Sequence, residues 1–136
     1  MSHKQINLYT DGGCRGNPGP GAAAWIIADN CGMVLESGSA FSKMTTNNKM
    51  EYLAVTRGLE AAKKYSLPVQ HLSDSMLIVN QLNGAWKVKD KKIYQLFVKT
   101  LIAKKGMEVA HRHVRREDGR ISRVDKLVNE CMDSNL

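Results

Sequence analysis

Four acidic residues, Asp11, Glu51, Asp74 and Asp125, fall where apolar runs give way to turns or where helical patterns begin. Strand ends beside helix N-termini are where open α/β sheets bind their ligands, so these four side chains can converge. Carboxylates gathered in one place repel, and burying them unpaired costs several kcal/mol or raises their pKa values. Two divalent cations resolve that conflict, because four carboxylates carry −4 and two Mg²⁺ ions carry +4. Mg²⁺ takes oxygen ligands, keeps several waters and sits against substrate phosphates. The chemistry that fits is two-metal phosphodiester hydrolysis, in which one ion activates water and the other stabilises the leaving oxygen. The competing explanation is that acidic residues collect at helix starts because the helix dipole favours them there.

The elements that must position these groups follow from the hydrophobic period. "KQINLYTD" alternates and predicts a strand ending at Asp11. "GAAAWIIAD" predicts a second strand, "ADNCG" a hairpin turn and "MVLESGSAF" a third strand. From Asn48 onward, Met50, Leu53, Ala54, Ala61 and Tyr65 recur at helical spacing, with Asn48 and Glu51 as an N-terminal capping pair. That helix runs for about four turns, placing Glu51 in its first, and "SLPV" stops it before Pro68. "VQHLS" is a short strand with Asp74 at its end, followed by a helix holding Leu77, Ile78, Val79 and Leu82 that Asn83-Gly84 closes. Asp90 caps the next helix, with Ile93, Leu96, Phe97, Thr100 and Leu101 on one face and Gly106 at its close. "MEVAHRHV" is a fifth strand and "RISRVDKLVNECM" a final helix carrying Asp125 in its first turns. The order βββαβααβα predicts an α/β fold, a five-stranded mixed sheet with helices packed on its faces.

Composition is consistent with one domain spanning residues 1–136, without a second core. No apolar run approaches the roughly 20 residues of a membrane span, and "MSHKQINLYTDGG" lacks the apolar core of a signal peptide. A cytoplasmic protein without membrane contact is expected. Cys14, Cys31 and Cys131 are odd in number and far apart, which argues for free thiols over zinc or a disulfide framework. The net charge of +7 is uneven: residues 1–83 hold 7 Lys/Arg against 6 Asp/Glu, and residues 84–136 hold 13 against 7. A basic C-terminal third suits a polyanionic partner such as nucleic acid, or equally a solvated lysine-rich surface. "GGCRGNPG" fits neither the dinucleotide fingerprint nor a Walker lysine loop.

"YTDGGCRGNPGPG", "TTNNKMEY", "SDS" and "RVDKLVNE", in this order and spread across nearly the whole chain, resemble the four motif blocks of type 1 ribonuclease H. The resemblance implies the ribonuclease H-like fold and endonucleolytic cleavage of the RNA strand of RNA/DNA hybrids, leaving 5′-phosphate and 3′-hydroxyl ends. It also implies two Mg²⁺ ions per active site, with Mn²⁺ able to substitute. By motif position Asp11, Glu51, Asp74 and Asp125 become the catalytic metal ligands, Asp11 being the candidate to bridge both ions.

The same resemblance assigns substrate contacts. Gly12, Gly13, Cys14, Arg15, Gly16 and Asn17 would face the RNA strand across the minor groove, and Asn47 and Asn48 the groove on both strands. In an A-like minor groove the 2′-hydroxyls are exposed and distinguish RNA from DNA, so neutral donors and acceptors with close backbone approach suit the task. The glycines would allow that approach; the bland alternative makes each Asn a turn or cap residue. Thr46 either donates to a DNA-strand phosphate or caps the helix. Trp86, with Lys87 and Lys89, either stacks and pairs with nucleic acid or anchors its connection to the core. Arg115 and Arg116 either assist at a reacting phosphate or form a basic loop that only binds backbone.

Three positions depart from the family pattern. Met76 stands where many members have Gln or Glu, "HVRREDGRIS" has no histidine beyond His113, and Ile121 stands where Asn is usual. "LNGAWKVKD" is too short for the basic protrusion of some members, so the chain resembles the compact form. With all four carboxylates present, an active monomeric enzyme is expected. The alternatives are a DNA-cutting nuclease core of the same superfamily and a hybrid-binding module without catalysis.

Overall fold

The computed structural model describes residues 4–135. Strands β1 (Ile6–Cys14), β2 (Gly19–Ala28) and β3 (Val34–Thr45) form an antiparallel meander. Helix α1 (Asn47–Ala62) and a short 3-10 turn (Lys63–Tyr65) lead to β4 (Val69–Ser73), which lies parallel to β1. Helices α2 (Met76–Leu82) and α3 (Lys91–Ala103) lead to β5 (Val109–His113), parallel to β4, and α4 (Gly119–Ser134) closes the chain. The strand order is β3-β2-β1-β4-β5, which is the expected five-stranded mixed sheet. Among the described residues no helix is long and apolar enough to cross a membrane.

Alternation along the strands sorts the core into two faces. Ile6 and Leu8 of β1, Ile27 of β2 and Val69 of β4 pack with Tyr52, Val55 and Leu59 of α1, Ile78 and Leu82 of α2 and Ala103 of α3. Tyr9, Ala24, Ile26 and Leu72 point the other way, onto Ile121, Val124, Val128 and Met132 of α4. Asp11 shares the parity of Tyr9, and Asp74 that of Leu72. The last parallel pair is Tyr9 with Leu72. Two residues further along each chain, Asp11 and Asp74 therefore stand abreast on the α4 side.

The structure corrects several boundaries. β1 does not end at Asp11 but runs on to Cys14, because Gly12, Gly13 and Cys14 keep pairing with Ala23, Ala22 and Gly21 of β2. The α1 cap is Thr46, whose extended backbone and hydroxyl, accepting from Lys49 N at 3.3 Å, start the helix one residue before Asn48. Glu51 consequently lies in the second turn, and Asn48 is not its capping partner. α1 buries Met50 and Ala54 as expected, but also Tyr52, Val55, Leu59 and Ala62, with Leu53 and Ala61 only partly buried. Leu101 of α3 is 39% exposed and lies off the core.

A polar layer interrupts the core on the α3 side, where His71 and His111 are both buried. Burial, then the neighbouring His111 and Lys104, holds His71 well below the usual histidine value. Burial, then Lys104, pulls His111 down to about 4. Both rings are neutral when folded, whereas unfolded histidines take up a proton near pH 6.5. Their contribution to stability is thus present above about pH 6.5 and lost as pH falls toward about 4. Urea midpoints should drop steeply between pH 6.5 and 4.5, and less steeply in His111→Asn; equal slopes would contradict this assignment.

Candidate active site

Gly12 determines how close α1 comes to β1. A Cβ built there would lie 2.5 Å from Glu51 N and 2.6 Å from Met50 O, so the helix backbone occupies the space a side chain would need. That contact explains glycine at this position, and it seats the Glu51 backbone against β1 at the residue after Asp11. Asp74 follows β4, and Asp125 projects from the second turn of α4, which Asp118 caps by accepting from Arg120 N at 2.9 Å.

The four carboxylates line one open cleft of about 450 Å³. Gly12, Gly13, Cys14, Arg15, Asn47, Asn48 and Arg116 share its walls, so the loop and helix start proposed for substrate contact are continuous with the acidic centre. Burial, then the charge of Asp74, then a hydrogen bond with Asp125, push Asp11 up to about 8. Burial pushes Glu51 up to about 7 against a hydrogen bond from Ser75. Arg116 Nε donates to Asp74 Oδ2 at 3.3 Å from a largely exposed position.

Two carboxyls whose ionisation is resisted up to neutral pH mark a place that lacks positive charge. The donors are all oxygens, which suits a hard divalent cation rather than zinc or copper. Among the described residues no three His, Cys, Asp or Glu side chains are gathered tightly enough to hold an ion by themselves. Mg²⁺ ordinarily takes one or two carboxylates and completes its shell with water and phosphate oxygens, so the donor set still fits it.

The rim is braced by side-chain hydrogen bonds. Asn47 Oδ1 accepts from Cys14 N at 2.9 Å, and Asn17 Oδ1 accepts from Asn47 N at 3.1 Å, one of the free donors at the start of α1. Arg15 reaches Asp133 of α4 at 2.7 Å. Asn17 therefore braces the rim and, like Gly16 with its φ of +85°, does not itself line the cleft. Thr46 is half-buried, and its hydroxyl accepts as the helix cap. Trp86 and Lys87 lie outside the cleft; Trp86 is 47% exposed and belongs to none of the core clusters. The Arg115 carbonyl accepts from Asp118 N at 3.0 Å in an exposed turn, and its side chain does not line the cleft.

Sequence reasoning missed Asn129 and Met132, which line the cleft from α4. Their signal was available: they stand four and seven residues after Asp125, on the same helix face. Asn129 Nδ2 donates to Asp125 O at 3.1 Å.

Comparison with known proteins agrees with this geometry. A family model described as reverse transcriptase-like matches residues 9–131. The ribonuclease H of Acidithiobacillus ferrooxidans is 38% identical, over 98% of this chain and 90% of its own length. The ribonuclease HI of Halobacterium salinarum is 33% identical over 95% of this chain. The crystal structure of LC11-RNase H1 in complex with RNA/DNA hybrid superposes with a TM-score of 0.89 at 37% identity, covering 96% of this chain and 98% of that one. The chain belongs to the type 1 ribonuclease H family. It spans 65% of the length of the Halobacterium relative and 36% of a longer mycobacterial one.

Within the ribonuclease H family the departures now have physical readings. Ile121 is 1% exposed and packs into the α4 face of the core, so an apolar side chain is what this position requires here. Met76, at 54% exposure, lies at the first turn of α2 and makes no contribution to the core. His113 does end β5, and its Nε2 lies 3.2 Å from the Asp74 carbonyl, whereas no histidine occupies the loop before α4. The α2–α3 connection is only residues 83–90, as in the compact form.

Proposed function

We propose that the protein is an endoribonuclease that hydrolyses the RNA strand of RNA/DNA hybrids, leaving 5′-phosphate and 3′-hydroxyl ends, acting as a cytoplasmic monomer through the one domain of residues 1–136. The observation that carries this is the meeting of four carboxylates from four different elements in one cleft shared with Cys14, Arg15, Asn47 and Asn48.

Asp11, Glu51, Asp74 and Asp125 would hold two Mg²⁺ ions, or Mn²⁺ in their place, which supply water activation and stabilisation of the leaving 3′ oxygen when bound. Asp11 feels the charge of Asp74 and shares a hydrogen bond with Asp125, which makes it the candidate for a shared ligand. Glu51 is brought to the same cleft by the α1 contact at Gly12 and feels the charge of Asp74. Asn47 and Asn48 offer neutral amides to the minor groove, where 2′-hydroxyls mark the RNA strand. Arg116, already facing Asp74, is placed to meet a phosphate. Trp86, Lys87 and Arg115 would extend the contact along the backbone outside the cleft.

Strand-labelled hybrid, duplex DNA and duplex RNA, each with Mg²⁺, Mn²⁺ or EDTA, test the proposal. Cutting confined to the RNA of the hybrid and abolished by EDTA is expected. Cleavage of duplex DNA would favour a superfamily nuclease of another kind, and tight hybrid binding without cleavage a non-catalytic module. Binding in EDTA should weaken linearly in log–log plots against salt as counterions are released. Lys87→Ala should reduce that slope by about 1 if the side chain meets a phosphate, which anisotropy titrations at several salt concentrations can measure.

A further inference from the structure

Beneath the acidic cleft, four polar side chains form a continuous chain through the core. Thr10 Oγ1 lies 2.7 Å from His71 Nε2, His71 Nδ1 lies 2.8 Å from His111 Nδ1, and His111 Nε2 lies 3.0 Å from Lys104 Nζ. The two rings meet edge to face with centroids 5.0 Å apart. Thr10 and His71 are essentially fully buried, and His111 is nearly so.

Donor and acceptor rules give this chain one direction. An ammonium can only donate, so Lys104 makes His111 Nε2 an acceptor. His111 then carries its proton on Nδ1 and donates to His71 Nδ1. His71 in turn carries its proton on Nε2 and donates to Thr10 Oγ1. One partly buried cation at the C-terminal end of α3 thereby fixes both tautomers.

The location matters because the β1–β4 ladder ends at Tyr9 with Leu72. Thr10 is the next residue of β1 and immediately precedes Asp11, while β4 continues to pair with β5 through His71–His111 and on to Ser73–His113. The Thr10–His71 bond is a cross-strand tie at the point where the two aspartate-bearing chains cease to pair. We infer that Thr10, His71, His111 and Lys104 act as one polarised positioning relay that fixes the separation of Asp11 and Asp74. None of the four touches substrate, and the inference rests on the hybrid-cleavage function proposed above.

Thr10→Val removes one hydroxyl and leaves the His71 Nε2–H unpaired, and Thr10→Ser restores the partner. The valine variant should lose on the order of tenfold to a hundredfold in kcat and in Mg²⁺ affinity by titration calorimetry, the scale seen when a residue supporting metal ligands is removed. Its KM for the hybrid should be unchanged, and the serine variant should recover both losses. ¹⁵N NMR of the imidazoles should show His71 with its proton on Nε2 and His111 with its proton on Nδ1, an arrangement that Lys104→Met should scramble. A valine variant that melts earlier yet keeps wild-type kcat and Mg²⁺ affinity would overturn the relay, as would the opposite tautomers in the wild-type protein. If Thr10→Val does not fold, Lys104→Met provides the same kinetic comparison from a less buried site. If the wild-type protein cuts no hybrid, the functional proposal fails by itself, and calorimetry and tautomers still decide the relay.

Discussion

Asp11→Asn should abolish hybrid cleavage while stabilising the metal-free protein. On the first count the loss should be at least about a thousandfold, since removing a ligand forfeits several kcal/mol of transition-state charge stabilisation. On the second, burial and two neighbouring carboxyls push Asp11 up to about 8. A folded-state value above the unfolded one means that the neutral carboxyl suits the fold and the ionised one opposes it. The contribution is fully present below about pH 4 and is lost as pH rises through about 8. Asparagine is neutral throughout. In EDTA the variant should therefore exceed the wild-type protein in stability by a gap that opens between pH 4 and 8, reaching on the order of a few kcal/mol. Mg²⁺ should narrow that gap by binding only the folded wild-type site. Urea unfolding at stepped pH measures this directly, and a gap that ignores both pH and metal would sink the electrostatic account.

Gly12→Ala should damage both stability and chemistry through one contact. Its Cβ would press on the α1 backbone at Met50 and Glu51, atoms that cannot rotate aside. Overpacking of this kind costs about 1–3 kcal/mol and sometimes more. Because the helix that must retreat carries Glu51, kcat should also fall by about a hundredfold, the penalty for a displacement near 1 Å. Gly13→Ala serves as the comparison, since nothing lies nearer than 3.9 Å to its added carbon. Its unfolding free energy should stay within about 0.5 kcal/mol of wild type. Equal destabilisation of the two variants would show that the glycines serve the strand generally and not the helix contact.

How much was legible in the sequence depended on whether the signal was local. Asp90 before "KKI" and Asn83-Gly84 after Leu82 are short-range stop and start signals, and the structure uses both. β1 was read too short because glycines weaken a strand by propensity, and only the long-range pairing with β2 keeps Gly12 to Cys14 extended. "TTNN" offers several capping residues in a row, so the choice of Thr46 over Asn48 had to come from where the chain leaves β3. The core stripe of α1 was legible only in part, Met50 and Ala54 being buried but Tyr52, Val55, Leu59 and Ala62 passed over, because the helix packs against both the sheet and α3, a wider face than one periodic row reveals. His71 and His111 looked like ordinary strand residues, since their meeting depends on the parallel register of β4 with β5. The convergence of the carboxylates was foreseeable because each lies near the end of a strand pattern or the start of a helical one, although Asp11 stands inside β1 and Glu51 and Asp125 lie in second turns. Gly12, read as a residue facing the groove, lines the cleft and also packs against the backbone of α1.

In the proposed reaction four carboxylates hold divalent ions for attack by water on the RNA strand. Its most direct test is the chemistry of the cut ends. A hybrid labelled at the 5′ end of its RNA, cleaved in a single turnover and treated with phosphatase or kinase, reports which product carries the phosphate. The expected result is 5′-phosphate and 3′-hydroxyl ends, no product in EDTA and an intact DNA strand. Products ending in a 2′,3′-cyclic phosphate, or cutting that persists in EDTA, would mean that the neighbouring 2′-hydroxyl and not metal-activated water attacks the phosphorus, and would contradict it.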